Sequence, residues 1–222
     1  MDLPNDYRLS EFYIPSNKTR DIYLNEEEIN KIYDGKFEFD YLDNARDWFI
    51  IGLRTGFRVS DFLELSTNNI KDGYIEKTTK KTEFPVIIPL HNQVKEILKK
   101  RNGEFPRKIT DQRFNDFIKK VSKEVGIKKI VEGSKMTEIS VKDENEKEKI
   151  IHRKKFGKYP KYELVSSHVC RRSFATNLYG KIDTLTIMKI TGHKTEKQFL
   201  EYIKITPKEY AEKLKDFWKK TK

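Results

Sequence analysis

The stretch Ser167-His168-Val169-Cys170-Arg171-Arg172-Ser173, followed by Thr191-Gly192-His193 and then Tyr202, decides how this chain is read. On a helix, residues three apart share a face, so His168 and Arg171 are expected side by side. A second helical pair supplies an imidazole at His193 and a phenol at Tyr202. Arginine, histidine and tyrosine together suit holding a phosphate diester, moving protons around it and attacking it. Ser166 or Ser167 is placed to cap the first of these helices, which should end at Gly180. Asp183 and Gly192 bracket a short helix with Leu185, Ile187, Met188 and Ile190, and Thr195 caps the helix that carries Tyr202. Thr206-Pro207-Lys208-Glu209 is a capping box with proline at the first helical position. The terminal helix behind it lines up Tyr210, Leu214, Phe217 and Trp218 on one stripe.

Upstream, residues 1–23 have no period and read as a lead-in or linker. Asn25 caps a helix whose Glu28 completes a capping box. A longer helix over about 40–55 carries Tyr41, Ala45, Trp48, Phe49 and Leu53, with Gly56 as its C-cap. A short helix follows with Val59, Phe62, Leu63 and Leu65 inward. It holds Arg58 at its start, and Asp61, one turn on, is placed to brace that arginine. Taken alone, this Arg–Asp pair is an ordinary surface pair of little energetic value.

After the turn at Asp72-Gly73, Tyr74–Thr78 and Phe84–Ile88 form a hairpin with Lys80-Lys81-Thr82-Glu83 at its tip. Amphipathic helices are expected at 91–101, with Val94, Ile97 and Leu98 inward, and at 111–125, capped by Thr110. Residues 127–164 read as a long exposed hairpin or loop, with Ile130-Val131 and Met136–Val141 as one strand, Lys149–Phe156 as another and a solvated turn at 142–147. Arg153, Lys154, Lys155, Lys158 and Lys161 are its candidate phosphate contacts. A solvated insertion without a role is the competing reading.

Composition narrows the partner. The formal charge is +11 with 36% charged and 12% aromatic residues, which argues for a folded chain with a polyanionic partner. No long apolar run or basic amphipathic surface helix favours a membrane. The single cysteine, Cys170, excludes an internal disulfide framework, fits a reducing cytoplasm, and reads as a small buried apolar residue rather than a reactive thiolate. No signal peptide is visible, so a soluble intracellular protein is expected. No His-Glu-x-x-His or paired Cys-x-x-Cys metal signature occurs.

Arg58 after Thr-Gly-x, Lys81 ahead of a strand ending in Pro-Leu, His168-x-x-Arg171, Gly192-His193 and Tyr202 occur in a fixed order. Each is weak alone, but the ordered set resembles the tyrosine recombinase (phage integrase) family, over about 24–206. The resemblance implies a mixed α+β, mainly helical catalytic domain with a small antiparallel sheet or hairpin at one edge. It implies that Arg58 and Arg171 grip the scissile phosphate, with Asp61 supporting Arg58. Lys81 would be the general acid, although Lys77 and Lys80 compete for that part. His168 would handle protons, His193 would donate to a phosphate oxygen, and Tyr202 would be the nucleophile. The implied reaction is metal-independent cleavage and rejoining of double-stranded DNA through a 3′-phosphotyrosyl link, in integration or excision, with no cofactor. The family's usual DNA-clamping domain does not fit in 1–23, so the chain is expected to be an excised catalytic domain or a naturally short relative. The helix over 207–222 would dock on a neighbouring protomer in a synaptic tetramer or pack back on its own domain. A topoisomerase-like nicking-closing enzyme and a catalytically silent DNA-binding accessory module are the alternatives.

Overall fold

The computed structural model describes residues 21–142 and 148–220. Most of the expected lead-in, residues 1–20, and nearly all of the expected turn, residues 143–147, lie outside the described residues. The elements run α1 (Glu26–Asp34), α2 (Asp40–Thr55), α3 (Val59–Phe62), β1 (Ile70–Lys71), β2 (Tyr74–Thr78), β3 (Pro85–Pro89), α4 (Asn92–Lys100) and α5 (Asp111–Glu124). Then follow β4 (Ile130–Lys142), β5 (Glu148–Pro160), α6 (Ser167–Leu178), α7 (Thr184–Thr191), α8 (Glu196–Tyr202) and α9 (Pro207–Lys220). The fold is mixed α+β and mainly helical, with two small antiparallel sheets.

The centre is α2, which packs against α5 and α6. Its buried surface is wider than the one stripe read from its spacing. Ile50 and Ile51 join Trp48, Phe49 and Leu53 in the core, whereas Tyr41 is partly exposed. A helix buried on most sides must also satisfy its polar groups. Asp47, fully buried, is bonded by Arg46 at 2.6 Å and by Arg101 at 2.7 Å. Such a network offsets the desolvation of its members while holding α4 against α2.

Local chemistry sets the ends of the helices. Asn25 and Glu28 form the expected reciprocal box on α1, and Gly56 ends α2 at a φ of +65°. Thr110, Asp183 and Thr195 each accept a backbone N–H from the first turn of α5, α7 and α8. The cap of α6 differs from expectation. Ser166 occupies the cap position without a side-chain bond; instead the Ser167 N–H donates to Asn115 Oδ1 of α5 at 2.8 Å. A neighbouring carboxamide satisfies the orphan donor as well as a local hydroxyl does. The helix stops at Leu178, before Gly180.

The first sheet has order β1-β2-β3. Asp72 and Gly73, both at positive φ, close the two-residue turn between β1 and β2, which pair Lys71 with Tyr74. Strand β1 was not foreseen, because two residues carry no periodicity. The second sheet is one long hairpin, β4 paired with β5 from Ile130↔Pro160 to Lys142↔Glu148. It is the exposed hairpin expected over 127–164, with its strands longer than expected, and its exposed side chains include Met136, Ile150 and Phe156.

Two cores result. The main one gathers α1–α6 and the β1–β3 sheet, including Ile22, Leu24, Val169 and Cys170. A satellite of Ala175, Ile187, Met188, Phe199 and Ile203 joins α6, α7 and α8, with Tyr202 packed against it. Helix α9 starts with the expected box between Thr206 and Glu209. Its Tyr210 meets Tyr179 edge-on, and Tyr210, Leu214, Phe217 and Trp218 remain exposed. Among the described residues no helix is long and apolar enough to cross a membrane.

Candidate active site

The site lies where the two cores meet, and three separate parts of the chain build it. The first is the corner after α2. Gly56 turns the chain at positive φ, and a Cβ there would stand 2.5 Å from the Phe174 ring, so the close approach of α2 to α6 depends on glycine. The Gly56 carbonyl accepts from Arg171 Nη1 at 2.9 Å. Arg58, half-buried, sits at the cap of α3. Its charge and burial act together on Arg171, which is only 6% exposed. Burial first, and then Arg58, bring the Arg171 pKa down to about 10, still fully protonated at neutral pH.

The second part is the β2–β3 tip. Asp61 supports this tip, and no bond between Asp61 and Arg58 is present among the described residues. Its Oδ1 accepts from the Lys80 backbone N–H at 2.9 Å, and its buried Oδ2 has no partner among the described residues. The expected brace is thus redirected: a carboxylate inside the fold takes the backbone donor offered by the turn, and reaches Arg171 through its charge. Lys80 Nζ is ion-paired with Glu64. Lys81 is exposed, and among the described residues no ion pair is present on it. A Cβ on Gly192 would lie 3.6 Å from Arg171 Nη2 and 3.9 Å from Thr82 Oγ1, which places the tip beside the buried guanidinium. Lys189 of α7 lies 5.8 Å from the centre of the Phe84 ring and ties tip to helix.

The third part is the satellite core, which carries His193 and Tyr202 with ring centres 5.0 Å apart. Thr191 orients the imidazole. Its Oγ1 donates to the Ile187 carbonyl at 2.6 Å and is 2.8 Å from His193 Nδ1. With its proton committed to the carbonyl, the hydroxyl can only accept, so Nδ1–H donates to it. Burial, then Arg171 and Arg58, bring the His193 pKa down to about 4. The ring is therefore neutral at pH 7 with Nε2 open, and the bond to a phosphate oxygen that the resemblance implies requires a proton on that nitrogen.

Tyr202 Oη donates to the His168 carbonyl at 3.4 Å. Burial pushes the phenol pKa up, opposed first by Arg172, then by Arg171 and Arg58. His168 and Arg171 part company despite their spacing. Arg171 is buried, whereas the His168 imidazole is exposed. It lines a cleft of about 590 Å³ with Lys119, Lys135, Lys154 and Arg172. Cys170 is fully buried, and burial raises its thiol far above the ordinary range. Arg58, Arg171, His193 and Tyr202 are thus brought together, Lys81 stands on the adjoining tip, and His168 reaches Tyr202 through its backbone. Sequence reasoning missed Thr191, whose place two residues before His193 is a weak signal. It also missed Arg172, whose guanidinium carbon lies 5.2 Å from the centre of the Tyr202 ring. Nothing in the spacing marks Arg172 out from Arg171.

A helical domain with this ordered set of cations, imidazoles and a phenol has the build of an integrase catalytic domain. The phage integrase family matches residues 23–209, and the chain belongs to that family. No curated protein matches it in sequence. Among solved structures it is similar to the XerA recombinase, with a TM-score of 0.60 and 16% identity over 97% of this chain and 70% of that one. A lambda integrase(75–356) dimer bound to a COC′ core site gives 0.57 and 20%, over 87% and 63%. The Tn1549 transposon integrase in complex with transposon right end DNA gives 0.56 and 15%, over 95% and 70%. At these identities the likeness is one of fold. The chain spans 63% of that lambda integrase fragment and 51% of longer lambda integrase and XerH chains.

Proposed function

We propose that the chain cleaves and rejoins double-stranded DNA at specific sites through a 3′-phosphotyrosyl intermediate, in DNA integration or excision. The observation that carries this reading is the convergence of Arg58, Arg171, His193 and Tyr202, from distant parts of the chain, on one junction between two cores. Arg171, fixed by the Gly56 carbonyl, and Arg58 hold the non-bridging oxygens of the scissile phosphate. Their charge is preorganised for the extra negative charge of the pentavalent transition state. Tyr202 Oη attacks phosphorus: its O–H bond breaks, an O–P bond forms, and the bond to the 5′ oxygen breaks. The open Nε2 of His193 accepts the phenol proton, and once protonated it donates to a phosphate oxygen, since a nearby anion favours the imidazolium. Lys81 protonates the departing 5′ oxygen, Lys80 being held by Glu64. His168 positions Tyr202 and serves proton transfer at the cleft. Bond energy kept in the phosphotyrosine lets a 5′-hydroxyl reseal the strand.

We propose further that residues 24–206 are the catalytic unit and that it works in the cytoplasm. The exposed stripe of α9 supports self-association on DNA, towards a synaptic tetramer. The test is incubation with a nicked duplex carrying the cognate site, in EDTA. A denaturation-resistant adduct is expected, and Tyr202→Phe is expected to abolish it. Binding without any adduct supports the accessory-module reading, and cleavage only on adding Mg²⁺ overturns the scheme.

A further inference from the structure

Arg172 has no part in the chemistry above, yet it is only 8% exposed. Its Nη1 donates to the Ile22 carbonyl at 3.1 Å, and its Nη2 pairs with Asp21 Oδ2 at 3.0 Å. Nε has no partner among the described residues. Burying a guanidinium with an unmet donor is costly, and a pair with half-exposed Asp21 returns little. The remaining contact is the one with the Tyr202 ring, 5.2 Å away. A guanidinium suits such a contact, because it is planar and stacks on aromatic faces.

The strand of chain that holds this guanidinium is itself pinned. The Leu24 N–H donates to Ser173 Oγ at 2.8 Å, and Asn177 Nδ2 donates to the Leu24 carbonyl at 2.9 Å. Ile22 and Leu24 are buried in the main core. Asp21–Leu24 thus runs along α6, with Arg172 linking it to the phenol on α8.

We propose that Arg172 is the positioning residue of Tyr202, holding the phenol ring on α6 while the segment Asp21–Leu24 clamps the guanidinium. The proposal rests on the reading of Tyr202 as nucleophile. It makes the chain leading into the domain a direct influence on the reacting side chain. Removing the phenol proton places charge in the ring and strengthens its attraction to Arg172. Of the groups around Tyr202, namely Arg172, Arg171, Arg58, Cys170 and the His193 ring, Arg172 does most to favour the phenolate.

The test needs no DNA, so its failure is distinct from failure of the recombinase reading. In the full chain labelled with ζ-¹³C-tyrosine, the Tyr202 resonance is identified by its loss in Tyr202→Phe, and its pH titration is followed. Arg172→Gln is expected to move the midpoint up by roughly one pH unit and to shift the resonance at neutral pH. Arg172→Lys, keeping the charge but not the plane, should recover part of the midpoint. Asp21→Asn should shift the resonance by releasing the clamp. If Arg172→Gln folds and neither midpoint nor resonance moves, the proposal is overturned, whatever happens to thermal stability. If that variant does not fold, the other two decide: a shift in either supports the proposal, and an unmoved Tyr202 resonance in both overturns it.

Discussion

Arg58 and Arg171 stand close together, and among the described residues neither has an ion pair with a carboxylate. Arg171 is buried, bonded to one carbonyl and pressed by the charge of Arg58. Such a site favours an anion before any substrate arrives. Inorganic phosphate is therefore expected to raise the thermal midpoint of the protein. At a hundredfold excess over Kd the stabilisation is about 2.7 kcal/mol, and for a chain of this size each kcal/mol is worth about 2–4 °C. Arg171→Gln should remove the rise, which calorimetry with and without phosphate will show. His193 gives a second prediction. Its folded pKa of about 4 lies below the roughly 6.5 of an unfolded histidine, so between these values the unfolded chain binds the extra proton. Stability then rises with pH across this window and is lost as pH falls through it. His193→Gln should flatten that slope between pH 7 and pH 5 in urea denaturation. The order of these side chains in the sequence was enough to name them. It could not show that Asp61 faces the hairpin tip, which depends on a partner from another element, or that Thr191 leaves Nε2 open, which depends on the bond Thr191 makes within folded α7.

Helix ends obey local chemistry, and so α1, α2, α5, α7 and α8 were readable from their caps. The cap of α6 was not, because its donor is met by Asn115, distant in sequence. The corner at Gly56 is where one element controls the site. A methyl group there meets both a left-handed φ and the Phe174 ring at 2.5 Å. Gly56→Ala is expected to cost roughly 2–5 kcal/mol, the sum of the backbone and overpacking penalties, measured by chemical denaturation. It should also displace the carbonyl that holds Arg171, so residual folded protein should lose phosphate binding. The β4–β5 hairpin was foreseen as an exposed hairpin, but its full pairing was not. Gly133 and Gly157 face each other across it, and glycine weakens the strand signal. The alternation of Ile, Lys and Glu along it also does not single out one buried face.

For the molecule as a whole, a formal charge of +11 should make the proposed binding to DNA strongly dependent on salt. Exposed Arg153, Lys154 and Lys155 lie on β5, and Lys154 lines the cleft that reaches His168. If they contact phosphates, replacing all three by glutamine should weaken binding to unrelated duplexes alike. It should also reduce the slope of log K against log salt by about 0.9 for each phosphate no longer neutralised. Titrations at several salt concentrations will measure this, and an unchanged slope would leave the hairpin without a phosphate role. Composition, helix periodicity, caps and the ordered motif were sufficient to determine a mainly helical domain and its family likeness, and to nominate the candidate site residues. These signals are local or depend only on order along the chain. Tertiary structure alone decided which of the lysines at the tip is held by Glu64, which nitrogen of His193 is open, and that Arg172 joins Asp21–Leu24 to Tyr202. The second of these rests on a local bond that needs α7 folded, with Thr191 on the Ile187 carbonyl; the first and last rest on contacts between residues far apart in sequence. Such contacts are set by the packing of two cores around α6, which no stretch of the chain contains by itself.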